Sequence, residues 1–342
     1  MEFQIIPISE APAGVREIFW SMNRSEGSWG WYSALAETTL SPQETAVIAV
    51  VSRSGIVEAA LPLVRRSPQL LRALTAPYTT RFGPAARTPA AAELLGRCLR
   101  ATVSGSLRLD ALDETDPSTE ALLKGLETSG LSTARYRHFM NWHEKIDDFK
   151  IYWTGRDSRL QQTVRRKQRK LDRDGRLAFI YLQQQDSVIS ALQTYEQIYA
   201  ASWKPSEPHR DFMPRMLAAL AREGTVRLAL LTIDSKPAAA QVWLVRNGRA
   251  TIFKLAHSSE FDAHSPGTLL THWLLSELCS RGEIQELDFG RGDDGYKRLW
   301  VHESNFRMGM IACNPRSLAG LYYTIKDIVP TRAALLLQRN RQ

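Results

Sequence analysis

The sequence predicts an α/β (α+β) protein of two tandem units, each with a mixed, mostly antiparallel sheet flanked by helices. Three observations point there. The chain has 342 residues, about two ordinary domains in length. Short β-rich runs joined by tight turns recur in both halves, and segments of helical period alternate with them. The second half then repeats the element order of the first, although no residue-level repeat links the two. The expected division is 1–150 for the first unit, 151–176 for a basic linking helix, 177–315 for the second unit and 316–342 for a helical tail.

In the first half, Phe3 to Pro7 is a short apolar run. Thr45 to Val51 and Ile56 to Val64 are β-rich and flank Arg53-Ser54-Gly55, a hairpin signal. Ala90 to Thr102 carries Leu94, Leu95 and Leu99 at helical spacing, and Leu107 to Leu112 alternates as a strand does. After Asp116-Pro117 a helix is expected from Glu120 to Ser129, closed by Gly130, followed by a strand from Ser132 to Trp142.

The segment from Arg156 to Arg176 holds nine basic residues and three acids, while the other 35 basic and 33 acidic residues nearly cancel. The excess charge of +8 is therefore a local feature needing a local explanation. Leu160, Val164 and Leu171 make a narrow apolar stripe along a helix from Ser158 to Asp172, and Gly175 closes it. Two readings stay open: a solvated linking helix that packs by its stripe, or an Arg cluster that meets a polyanion such as a phosphorylated cofactor, a lipid headgroup or RNA.

In the second half, Leu177 to Leu182 is an expected strand, Ser187 to Trp203 a helix, and Met213 to Ala221 a second helix ending before Gly224. Strands follow at Val226 to Ile233, Ala238 to Val245 and Ala250 to Ala256, with turns at Asp234 to Pro237 and Asn247-Gly248. A helix from Pro266 to Arg281, a strand from Ile284 to Gly290, a short helix near Asp294 to Val301 and a strand from Phe306 to Ala312 complete the unit.

An ordinary soluble composition, 44% hydrophobic and 23% charged, excludes a disordered chain, a collagen and a disulfide scaffold. Cys98, Cys279 and Cys313 are few and far apart, which builds neither a disulfide framework nor a metal site and fits a reducing compartment. The N-terminal residues lack the pattern of a signal peptide, and no uninterrupted apolar stretch is long enough to span a bilayer. The expectation is a cytoplasmic protein without a metal, with peripheral contact to the inner face of the membrane left open.

Two local signals carry chemistry. In His264-Ser265-Pro266-Gly267-Thr268, Ser265 suits an N-cap, Pro266 the first helical position, and Gly267 a close approach of ligand to backbone. Such a start offers unpaired N–H groups and the positive end of the helix dipole to a phosphate; a capped surface helix would look the same. The run Leu287 to Trp300 packs Asp288, Arg291, Asp293, Tyr296 and Lys297 around glycines at the carboxyl end of a strand, beside that helix start. Its alternative is a surface turn whose charges pair with one another.

The run FKLAHSSEFDAHSPGTLLTHWLLSELCSRGEIQELDFGRGDDGYKRLWV, with the basic RRKQRKLDRDGRL and the helix YEQIYAASW, resembles GNAT-type acyltransferases grouped with the cellulose-biosynthesis CelD proteins. Those are similar in layout to FemAB-like double-GNAT enzymes. The likeness spans Tyr152 to Cys313, and the first 150 residues share only the general layout. It implies two GNAT-like domains, the N-terminal one degenerate, an acyl-coenzyme A donor and an amine acceptor in exopolysaccharide or cell-envelope metabolism. In place of the family's pyrophosphate loop stands Asp262 to Thr268, with one glycine. Transfer from a charged tRNA, and a non-catalytic scaffold in a polysaccharide synthesis complex, remain open as alternatives.

Acyl transfer to an amine needs a neutral nucleophile, a donor for developing carbonyl charge and a proton source for the leaving group. Asp288 is the candidate base or amine-binding carboxylate, its alternative an ion pair with Arg291 or Lys297. Tyr296 is the candidate proton donor, its alternative a core-edge aromatic. Lys254, a lone charge inside TIFKLA, is a candidate contact for donor phosphate or acceptor carboxylate, or a solvent-facing side chain. Ser265, Gly267, Thr268, Arg291 and Lys297 are the candidate donor-binding residues. His257 and His264 flank the loop as possible bases, and the three cysteines read as inert buried thiols.

Overall fold

A computed structural model describes residues 1–22 and 25–339. Among these described residues thirteen strands follow in chain order: β1 Glu2–Pro7, β2 Thr45–Arg53, β3 Ile56–Ser67, β4 Leu70–Ala73, β5 Ala85–Ala86, β6 Ser106–Leu112, β7 Ser132–Lys145, β8 Leu177–Leu182, β9 Val226–Ile233, β10 Lys236–Arg246, β11 Gly248–His257, β12 Ile284–Arg291 and β13 Glu303–Cys313. The mixed, mostly antiparallel sheets with helical cover are those the sequence predicts.

Two compact units form, residues 1–140 with 306–342, and residues 141–305. The consecutive division expected from sequence has no such return of the later residues to the first unit. In the first unit the order is β1-β2-β3-β4-β6-β13, and β13 pairs antiparallel with β6, Met310 opposite Leu109 and Cys313 opposite Ser106. That pairing returns the end of the chain to the first unit, where Asn314 Nδ2 also donates to the Val103 carbonyl at 3.0 Å. Strand order is set by contacts between residues some two hundred positions apart, and local periodicity carries no record of it. Helices Pro89–Cys98 and Pro117–Thr128 cover this sheet, meeting where Gly96 and Gly125 let the backbones touch: a Cβ at Gly125 would lie 2.1 Å from the Glu93 carbonyl oxygen.

In the second unit the order is β7-β12-β11-β10-β9-β8. The turns at Asp234-Ser235 and Asn247-Gly248 hold positive φ at both central positions, the geometry that matches hairpin twist. β9, β10 and β11 are an antiparallel meander, and helix Pro266–Ser280 carries the chain over to β12, which lies parallel to β11. That helix buries Leu269, Leu270, Leu274, Leu275 and Leu278, a stripe at helical period that holds it on the sheet.

Three local expectations change. The helix expected over Ser187 to Trp203 is two, Gln185–Ser190 and Leu192–Ala200, with Ala191 between them donating its N–H to the Ser187 carbonyl at 3.2 Å. The helix near Asp294 is a short 3-10 turn, Gly295–Leu299. Ser265 makes no side-chain cap: its backbone is left-handed, φ 54° and ψ 48°, and a capping side chain needs the extended conformation that aims its oxygen at the first turn.

Candidate functional site

The parallel ladder of β11 and β12 runs from Gly248 opposite Ile284 to Thr251 opposite Asp288 and ends there, while β11 stays paired with β10 to His257. The two strands part, leaving one side of residues 252–257 without β12 beside it. The Pro266–Ser280 helix starts at the same end, reached from β11 through a 3-10 turn, Ser259–His264. Its first-turn N–H groups are those a helix leaves unsatisfied. Ser265, at the mouth of the helix, donates its N–H to the Asp262 carbonyl at 3.1 Å, and Thr268 is half-buried in the first turn.

Gly267 has a structural reason for its hydrogen: a Cβ there would lie 3.2 Å from His257 Nδ1. The His257 ring rests on Trp203 at 4.4 Å, and its Nε2 meets Asp262 Oδ1 at 2.9 Å. The Gly267 carbonyl is held from the sheet by Gln241, whose Nε2 donates to it at 3.0 Å and to Thr271 Oγ1 at 2.7 Å. Gln241 Oε1 accepts from Trp243 Nε1 at 2.8 Å. Gln241 is a fully buried amide inside an apolar strand, and it fixes where the helix begins.

Asp288 sits at the last rung before the strands part, 1% exposed. Its Oδ1 accepts from the Gly290 N–H at 2.6 Å, its Oδ2 from Asn141 Nδ2 at 3.3 Å and from the Arg249 guanidinium. The ion-pair partner is thus Arg249, across the ladder on β11, in place of Arg291 or Lys297. The loop beyond is closed by Lys297, whose buried ammonium donates to the Arg291 carbonyl at 2.6 Å and the Gly292 carbonyl at 3.2 Å and lies 3.3 Å from Asp294. Its burial pulls the ammonium below the ordinary lysine range. The Lys297 charge is turned inward onto the loop, whereas Arg291 is exposed. Tyr296 packs edge-on against Phe289 at 6.1 Å, and desolvation, with the Asp294 carboxylate, pushes its phenol above the usual range, so that it keeps its proton.

Lys254 is not solvent-facing. Its Nζ donates to Glu207 Oε1 at 2.6 Å, and both side chains are largely covered. Lys204 joins them: desolvation first, then the positive charge of Lys254, bring its ammonium down to about 8 against the partial support of Glu207 and Asp294. Lys204, Glu207, Lys254, Asp294 and Lys297 therefore form one interacting group of charges on the parting strands and the loops around them. Sequence reading missed Lys204 and Glu207, which lie in the irregular KPSEPHR loop. The one signal was an acid between two prolines with a lysine just before them.

The thiols are passive. Cys313 is buried, and burial raises all three, Cys279 to about 11, where thiolate is scarce. Among the described residues no group of three His, Cys, Asp or Glu could hold a metal ion.

The basic helix, Ser158–Arg173, buries Leu160, Val164 and Leu171 and turns Arg159, Arg165, Arg166, Arg169, Lys170 and Arg173 outward along a groove of about 660 Å³. Lys167 Nζ donates to the Ala263 carbonyl at 2.5 Å, tying this helix to the turn that precedes Pro266. At its head, buried Arg156 binds both oxygens of Glu144, at 2.7 and 2.6 Å.

Residues 158–298, within the second unit, match the acetyltransferase (GNAT) domain family model. No curated protein matches the chain. Among solved structures, FemX aligns over 95% of this chain and 99% of its own at 12% identity and a TM-score of 0.64. The C-terminal domain of a putative lysylphosphatidylglycerol synthetase from Agrobacterium fabrum aligns over 90% and 93% at 13% identity and a TM-score of 0.59. L-PGS from Bacillus licheniformis aligns over 96% and 98% at 11% identity and a TM-score of 0.54. At these identities the likeness is one of fold.

Proposed function

We propose that this protein is an N-acyltransferase that moves an acyl group from acyl-coenzyme A to an amine of cell-envelope or exopolysaccharide metabolism. The observation that carries the reading is the parting of β11 from β12 after Thr251 and Asp288 beside the start of the Pro266–Ser280 helix. An acyl donor laid there has backbone N–H groups for its carbonyl and first-turn amides for its phosphates. Ser265, Gly267 and Thr268 bind the donor through the backbone, with Arg291 adding charge at the rim. Lys297 contributes by holding the loop.

In this reading the amine loses a proton to Glu207 or to neutral Lys204 and attacks the donor carbonyl. The tetrahedral oxyanion then collapses, and the leaving thiolate takes the Tyr296 proton. Lys254 keeps Glu207 in place. Asp288 acts through Arg249 and the Gly290 N–H as the residue that shapes the strand end. No covalent intermediate is needed.

The basic helix favours a second reading, transfer from a charged tRNA. Arg159 to Arg173 extends about 21 Å at about 1.5 Å per residue, longer than the span of phosphates in one coenzyme A and suited to a phosphodiester backbone. Calorimetric titration with acetyl-coenzyme A, a long-chain acyl-coenzyme A and free coenzyme A tests the first. Saturable binding, with turnover lost in Glu207→Gln but affinity kept, supports it. No binding of any of the three, together with tRNA binding that falls steeply with salt, replaces it with the second.

A further inference from the structure

The last helical stretch of the first unit runs from Leu318 to Arg339, α-helical at Leu318–Tyr323 and Val329–Arg339 and widened to a π-turn at Thr324–Ile328. The wide turn lies just before Pro330, whose missing N–H cannot bond backward. The stretch docks by one face only. Ile328 is buried with Ala134, Ile311 and Cys313, and Tyr323 packs against that cluster. Gly320 lies so close to the chain that a Cβ would meet the Asn314 carbonyl oxygen at 2.0 Å.

The opposite face is apolar and open. Leu318 is 90% exposed, Leu321 48%, Tyr322 57%, Ile325 63% and Val329 55%. These positions recur every three or four residues and lie on one side of the helix. Of the sixteen exposed large hydrophobic residues among those described, six, counting Leu337, belong to this one stretch. Scattered exposed apolar residues need no account, but a stripe does.

From Arg316 onward the chain carries five basic residues and one acid, Asp327. Lys326 is exposed with its ammonium 5.6 Å from the Tyr322 ring centroid, at the edge of the stripe, and Arg316 is exposed where the stripe begins. We infer that this stripe lies in the interface of an anionic lipid bilayer, with Leu318, Leu321, Ile325 and Val329 among the acyl chains, Tyr322 at headgroup depth, and Arg316 and Lys326 on phosphate. Charge decides the occupant. A second copy would bring two basic stretches together, and a neutral apolar partner would leave them without counter-charge. Among the described residues no helix is long and apolar enough to cross a membrane, so the contact is in-plane.

The test is co-sedimentation of the full chain with vesicles of equal parts phosphatidylglycerol and phosphatidylethanolamine, against vesicles of phosphatidylcholine alone. A Leu321→Ser/Ile325→Ser variant is run beside it; both side chains are exposed, and its circular dichroism and melting should equal those of the parent. Binding to the anionic vesicles that the double substitution weakens by about tenfold or more supports the inference. Absence of binding by the parent overturns it. So does undiminished binding by the variant, which assigns the lipid contact to the Ser158–Arg173 helix. A concentration-dependent dimer that the variant abolishes, without vesicle binding, also overturns it and assigns the stripe to a second copy.

Discussion

Replacing Lys204 with methionine should stabilise the protein at neutral pH and slow acyl transfer. An ordinary lysine titrates near 10.5, and this one is held at about 8, mainly by loss of water and secondly by Lys254. At about 1.4 kcal/mol per pH unit, keeping its charge in the folded state costs about 3 kcal/mol, or about 2 kcal/mol once the part of the side chain still in water is allowed for. The sign follows from proton counting. Between pH 8 and pH 10.5 the unfolded chain holds the proton and the folded chain does not, so stability rises with pH across that window; below 8 the cost is present in full. Lys204→Met removes the cost and keeps the length of the apolar stem. Urea unfolding should show the variant about 2 kcal/mol more stable at pH 7, with the gap narrowing steadily above pH 8. In the parent, acyl transfer should rise with pH through a limb near 8, and the variant should lose that limb. A neutral or destabilising substitution at pH 7, or a gap that does not change with pH, would refute the placement of Lys204 among these charges.

The other expectations rest on single contacts. His272 lies against Trp153 at 4.3 Å and Phe149 at 5.7 Å, and burial brings it to about 4. Its stabilising contribution, present above the ordinary value of 6.5, is lost as pH falls toward 4, and His272→Leu should flatten that acid limb by about 2 kcal/mol in urea melts run from pH 7 to pH 4. Asp288→Asn should cost about 2 to 3 kcal/mol, because Arg249 loses its covered partner while the more exposed Glu286, at 3.1 Å, stays; Glu286→Gln on the same arginine should cost under about 1 kcal/mol. Gln241→Leu should cost about 2 kcal/mol by leaving the buried Trp243 indole N–H without its acceptor. If Gln241 fixes the helix start, that variant also raises KM for the acyl donor more than it lowers kcat.

Much of the second unit was legible because its elements depend on neighbours in sequence. β9 is an uninterrupted β-rich run, Asp234-Ser235 and Asn247-Gly248 supply the positive φ that hairpins require, and the leucines of the Pro266–Ser280 helix repeat at helical period. The first unit was harder. Helices Ala13–Ser21 and Trp29–Thr38 went unread, the second being apolar around most of its circumference, with Trp31, Tyr32, Ala34 and Leu35 buried, so that no amphipathic stripe marked it. The return of β13 to β6 was invisible for a different reason. A strand buried on both sides, such as Gly309 to Cys313, reads the same beside any neighbour.

For the site, positions of charge were legible in the sequence and their direction was not. Lys297 and Arg291 look alike as cations after a glycine-rich strand end, yet the first is folded back onto two carbonyls and buried, and the second is exposed. The difference lies in the positive φ of Gly290 and Gly292, which curls the loop so that its carbonyls converge on the Lys297 ammonium. Conversely, Lys254 was conspicuous as a charge within a strand, and the carboxylate that neutralises it was not, since Glu207 reaches it from 47 residues away. A covered charge demands a partner. The KPSEPHR loop holds the one acid between Glu196 and Asp211, so an inward Lys254 carried an implied question about which acid meets it. Answering that question locates the loop, and with the loop comes Lys204, whose ammonium is brought down to about 8 by burial and the nearby Lys254.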